Sequence, residues 1–194
     1  MKCYLVGLML ILPQTMPAQS THVRELVSAL QEPARAQAAS DELRQLALAS
    51  AKNMKETEVE LAGALKVRSD VVAFKREADL ARELKLSSLA PVLAQSLEED
   101  TRDKYRIGTL SHINGPDFDP AMKALVSFGS TSIAPLVEEL NVGNRLGRYR
   151  AAYTLAAIGG PEVNAAMRDR YYKEADAGLK NYLGYKSDLL NGRM

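Results

Sequence analysis

The strongest constraint in this chain is that part of it occurs twice. Residues 109–123 read TLSHINGPDFDPAMK and residues 154–168 read TLAAIGGPEVNAAMR, an offset of 45 with seven of fifteen positions identical. The shared set is Thr109/Thr154, Leu110/Leu155, Ile113/Ile158, Gly115/Gly160, Pro116/Pro161, Ala121/Ala166 and Met122/Met167. Upstream, SSLAPVL at 87–93 matches TSIAPLV at 131–137, and Tyr105-Arg106 matches Tyr149-Arg150, both at an offset of 44. Two units, about 87–130 and 131–175, follow from this offset. A second register of 30 residues pairs Ala121, Leu125 and Gly129 with Ala151, Leu155 and Gly159. We take 44–45 as the duplication and 30 as the local helix-pair period. A unit this small cannot bury its apolar stripe alone, so its neighbours must stack on it.

The stripes are helical. Val23, Leu26, Val27 and Leu30 fall at i, i+3, i+4 and i+7, and Ala39, Leu43, Leu46 and Ala47 do the same after Pro33. Leu89, Val92, Leu93 and Leu97 repeat the pattern behind Ser88, a residue type suited to capping. Val163, Ala166, Met167 and Arg170 follow near the end, the Arg stem covering apolar surface. Gly115-Pro116, Gly129, Gly143 and Gly159-Gly160-Pro161 punctuate the segments. No alternating strand pattern with hairpin turns occurs. The expectation is an all-α fold of about ten helices over a single domain, residues 21–194.

The pattern Arg148-x-x-Ala151-Ala152-x-x-Leu155-x-x-Ile158-Gly159-x-Pro161-x-Val163 resembles the helix–turn–helix signature of HEAT-like repeats, especially the short type of phycobilin lyases. ALVSFG at 124–129 followed by SIAPLV at 132–137 fits the same pattern. The likeness covers about 85–175; Gly160 stands where the family often has Asp. It implies an α-α superhelix, a solenoid of about five helix pairs, whose usual work is binding protein. Lyase activity belongs to only a minority of such proteins.

Residues 1–20, MKCYLVGLMLILPQTMPAQS, have the layout of a secretory signal peptide. Lys2 precedes an apolar run from Cys3 to Leu12, too short for the roughly 20 residues of a stable span. Pro13 breaks the run, and cleavage is expected after Ala18 or Ser20. The expected mature protein is secreted or periplasmic, without membrane insertion. Cys3, the only cysteine, would leave with this segment, so no disulfide holds the remainder. A chain without cysteine fits the bacterial envelope.

A formal charge of +1 argues against a broad nucleic-acid coat, so no nucleic-acid partner is expected. The sum hides a gradient. Residues 21–141 hold 15 basic and 19 acidic residues, whereas residues 142–194 hold 9 and 5 together with six of the eight tyrosines. Tyr and Arg combine large area with directional donors and are enriched at binding hot spots. Arg145, Arg148, Tyr149, Arg168 and Tyr172 are therefore the candidate binding residues for a protein partner, plausibly an acidic one. Tyr171, eight residues after Val163, is expected in the core, while Arg168 and Tyr172 are expected to point outward.

No catalytic constellation is legible. His112 beside Ser111 does not make a triad, since a triad is a spatial arrangement. Asp117-Phe118-Asp119-Pro120 lacks the ligand spacing of a calcium loop, and its acids read instead as favouring a helix N-terminus. Gly143-Asn144-Arg145-Leu146-Gly147-Arg148 lacks the Lys-Ser/Thr of a phosphate loop and reads as a turn between helices. His22, just past the expected cleavage region, is expected to fray. No metal site and no cofactor are expected. The leading expectation is an exported, non-enzymatic repeat scaffold. The alternative is an accessory subunit or lyase-like enzyme holding a small ligand between helices.

Overall fold

The structure, a computed structural model, describes residues 17–67, 70–98 and 119–190. The leader up to Met16, Thr109, Leu110, His112, Ile113, Gly115-Pro116, Asp117-Phe118 and Tyr105-Arg106 lie outside the described residues, and much of the first repeat unit lies there with them. What is described is all-helical, with no strand.

Helix α1, Pro17–Ala29, begins the described chain, so both expected cleavage positions fall in its first turn. Its stripe of Val23, Leu26, Val27 and Leu30 is buried as the spacing predicts. His22 does not fray: it lies within α1, and its ring nitrogen meets Glu42 at 2.8 Å. Helix α2 is Ala36–Ala49 and α3 is Ala51–Val67, which Ser50 caps by accepting the Asn53 N–H at 3.1 Å. These three helices pack on one another. Helix α4, Val71–Glu83, opens on Asp70, whose carboxylate accepts the Val72 N–H at 2.6 Å.

A 3₁₀ turn, Ser87–Leu89, then leads into the short α5, Ala90–Gln95, and a second 3₁₀ turn, Ser96–Glu98. Ser88 does not cap α5. Its hydroxyl donates to Glu58 on α3, and the residue before α5 is Leu89, which has no side-chain cap. The carboxylate on the neighbouring helix outcompetes the local amides.

Helix α6 is Pro120–Phe128 and α7 is Ile133–Val142. Asp119 caps α6, accepting from Ala121 N at 2.9 Å and Met122 N at 3.0 Å. Helix α8 is Arg145–Ile158, α9 is Pro161–Lys173 and α10 is Ala177–Leu190. Segments 87–93 and 131–137 do share a form: each carries a 3₁₀ turn into a helix with proline in its first turn. Helix boundaries, however, follow the 30-residue period. Gly129 ends α6 at φ 62° and Gly159 ends α8 at φ 70°, the left-handed conformation that glycine adopts cheaply. Residues 131–175 contain α7, α8 and α9.

Packing runs in two rows. Helix α4 lies against α6, and α6 against α8; α5 lies against α7, and α7 against α9. Helix α10 covers α9 at the end. A continuous apolar core threads the rows, from Leu30 and Leu43 through Leu93, Met122, Leu125 and Leu136 to Leu155, Met167 and Leu183.

Candidate functional site

The basic, tyrosine-rich end is built around the start of α8. Gly143 closes α7, and Asn144 caps α8 by accepting the Gly147 N–H at 2.9 Å. Of the stretch Gly143 to Arg148, expected to be a turn, only Gly143-Asn144 lies between the helices; Arg145 to Arg148 form the first turn of α8. Its first helical turns project Arg145, Arg148 and Tyr149 toward the loop joining α9 to α10, residues 174–176.

That loop carries two carboxylates. Asp176 accepts from Arg145 Nε at 2.7 Å and from the Tyr149 hydroxyl at 2.8 Å. Its Oδ1 also accepts the Leu179 N–H at 3.0 Å, capping α10. The Leu179 N–H, then Tyr149, then Arg145 hold the Asp176 carboxyl down at about 2. Burial, then Asp176, pushes the Tyr149 hydroxyl up from its ordinary value. Glu174, its side chain only 1% exposed, takes Arg170 at 2.8 Å and Arg148 Nε at 3.4 Å. Burial pushes the Glu174 carboxyl up, but the Asp176 N–H, Arg170 and Arg148 together bring it below its ordinary value.

Three of the five expected binding residues therefore serve the fold. Arg145, Arg148 and Tyr149 clasp the α9–α10 loop to α8: Arg145 and Tyr149 by hydrogen bonds to Asp176, and Arg148 by an ion pair to Glu174 in which its buried Nε makes no hydrogen bond. The sequence did not reveal this because the carboxylates lie 26 to 31 positions further on. Arg145 keeps an exposed guanidinium, 5.7 Å from the Tyr149 ring centroid.

Arg168 and Tyr172 are different. Both are exposed, one turn apart on α9, and Arg168 makes no hydrogen bond or ion pair with another described residue. Tyr172 is 73% exposed, and its ring meets Tyr171 edge-on at 5.3 Å. Tyr171 packs against the core as expected, with Lys180 5.3 Å from its ring centroid. The remaining tyrosines divide. Tyr153 and Tyr182 stack at 4.2 Å against the core, where burial raises the Tyr182 hydroxyl, whereas Tyr185 is exposed.

Sequence reasoning missed the acids that organise this end. Glu174 stands one turn after Arg170, a pairing legible as i, i+4, and Asp176 immediately precedes a helix. It also missed Arg150, which is buried, donates to the Leu97 carbonyl at 3.2 Å and lies 3.8 Å from Asp119. Among the described residues no group of three or more His, Cys, Asp or Glu could hold a metal ion. Among them, too, no helix is long and apolar enough to cross a membrane. No family model, curated protein or solved structure matches this chain.

Proposed function

We propose that this chain is an exported helical-repeat scaffold of the HEAT-like kind, and that it binds a partner protein through the outer face of α9. The two rows of stacked helices support the α-α superhelix, with α4, α6 and α8 in one row, α5, α7 and α9 in the other and α1–α3 as the cap. The observation that carries the binding reading is the pairing of Arg168 and Tyr172. A cation and an aromatic ring stand exposed on a rigid helix, while the other arginines near them are engaged inside the fold. A rigid element presenting Arg and Tyr loses little side-chain freedom on docking, and a cation without an internal partner suits an acidic surface. The work is recognition by shape and charge, not catalysis.

The test is a photo-crosslinking residue placed at Tyr172 and, as control, at the exposed Gln45 on α2, in the full chain expressed in its own envelope. A discrete adduct at position 172, absent at 45 and lost on Arg168→Glu, is the expected result. Equal adducts at both positions, or an adduct indifferent to Arg168→Glu, would rule out this face.

A further inference from the structure

The joint between α7 and α8 encloses a carboxyl group that the clasp does not use. Glu139 lies in the last turn of α7, close to Gly143 at the helix end and to Gly147 in the first turn of α8, and is 5% exposed. Its Oε1 is buried and has no hydrogen-bond partner. With the acid in this position a Cβ at either glycine would collide with that same oxygen, and at Gly143 also with the Glu139 carbonyl. The two glycines bracket Asn144, so the carboxyl group is packed into the point where one helix stops and the next starts. Glu98 closes the other side. Its Oε1 accepts the Asn144 N–H at 2.8 Å, its carbonyl accepts from Asn144 Nδ2 at 2.8 Å, and its Cγ would lie 3.0 Å from a Cβ on Gly147.

The other described charges around the joint have their own partners or face away. Helix α7 adds Glu138, which is exposed. From α8, Arg148 donates to the Gly143 carbonyl at 3.1 Å and pairs with Glu174, while Arg145 pairs with Asp176. From α9, Arg170 donates to the Asn141 carbonyl at 3.3 Å and pairs with Glu174. Helix α5 and the 3₁₀ turn Gly129–Ser132 bring no charged side chain. The ionisable groups facing Glu139 are carboxylates, and the nearby cations are turned onto the loop.

We infer that the α7–α8 joint is a proton-gated hinge, closed while Glu139 is a neutral acid and opened when Glu139 ionises. A neutral carboxyl tolerates burial against glycine carbons. A carboxylate with an unpaired buried oxygen, facing Glu98, must instead swing out to reach water. Burial, with Glu98 and then Glu138 adding, pushes the Glu139 carboxyl up to about 7, which puts the transition in the neutral range. The sign follows from where the proton is held. The closed joint binds it and the open joint releases it, so closure is complete below the ordinary value of 4.5 and is lost as pH rises through about 7. The joint carries Arg145, Arg148 and Tyr149, so opening loosens the hold of α8 on residues 174–176. This holds whether or not α9 is the docking face.

Two measurements on the full chain decide it. Carbon-13 titration of the side-chain carboxyls is expected to give Glu139 a midpoint near 7; a midpoint near 4.5 would overturn the inference. Hydrogen exchange, corrected for the intrinsic rate, is expected to show the protection of amides 143–149 falling up to about tenfold per pH unit between pH 5 and 7. That slope is expected to vanish in Glu139→Gln and to persist in Glu138→Gln. A wild-type slope of zero, or one that Glu139→Gln leaves intact, also sinks the hinge. The titration needs no variant, so it decides even if Glu139→Gln does not fold.

Discussion

Helices α1–α4 and helices α8–α10 use their ion pairs in different ways. In the first region the pairs lie on the surface: Arg24 with Glu60, Arg44 with Asp41 and Glu83, and Lys55 with Glu58. Such pairs are screened and each gains little. In the second region Glu174 is closed in with Arg148 and Arg170, while Asp176 takes the half-buried Tyr149 and an Arg145 that stays exposed. The gradient of charge along the chain therefore says little about which charges meet a partner. Counting arginines at the basic end overstates the free surface, because loop 174–176 consumes most of them and leaves Arg168.

The sharpest way to break this comparison is to remove one acid from each region. Glu174→Ala strands Arg148 and Arg170 around an empty site and is expected to cost about 3 kcal/mol, roughly 6–12 °C in Tm. Glu83→Ala removes a partner of Arg44 that is itself partly exposed and is expected to cost at most about 1 kcal/mol. Thermal unfolding of both variants checks the ranking. A Glu174→Ala loss no larger than that of Glu83→Ala would mean the clasp is a surface feature after all.

A smaller effect separates the regions by pH. Glu77 on α4 is 2% exposed with an unpartnered Oε1, and burial pushes its carboxyl up to about 7 against the opposing hydrogen bond from Gln31. The folded state thus holds a proton that the unfolded chain gives up, so stability falls as pH rises from 4.5 through about 7. Asp176 works the other way: held at about 2 against an ordinary 3.8, it adds stability that is lost as pH drops through that window. Unfolding free energies from urea titration are expected to be highest near pH 4–5 and to decline toward pH 7 by about 1–3 kcal/mol. Glu77→Gln should remove part of the decline and leave the acid limb untouched. A profile flat between pH 5 and 7 contradicts the burial of Glu77.

What was legible in the sequence is what local chemistry decides. The stripe Val23, Leu26, Val27, Leu30 is buried to the residue, and Tyr171 and Tyr172 divide between core and solvent as helical phase dictates. The breaks at Gly143-Asn144 and Gly159-Gly160-Pro161 needed only turn and cap propensities. Illegible were the outcomes set by distant partners. Ser88 turned to Glu58, thirty residues away, and Arg145 to Asp176, thirty-one residues on. Glu139 belongs with these: Gly143 and Gly147 lie on either side of a helix break, so spacing alone does not bring them to the acid, and the close approach appears only once α8 folds back and Glu98 is in place.

The same division between local and tertiary control can be sharpened with two glycines that have empty space around them. Neither Gly63, in the middle of α3, nor Gly159, at the end of α8, has any atom within 4 Å of where a Cβ would stand. Packing therefore drops out, and only backbone conformation remains. Gly63 sits in a helix interior, where alanine restricts the unfolded chain and is expected to add about 0.5–1 kcal/mol. Gly159 has φ 70° with ψ −171°, a backbone region essentially confined to glycine, and alanine there is expected to cost at least about 1 kcal/mol. Opposite shifts in Tm of roughly 2–4 °C are the expected signature. Stabilisation by Gly159→Ala would mean that the chain does not need its left-handed turn between α8 and α9. The 30-residue period would then lose the marker it shares with Gly129.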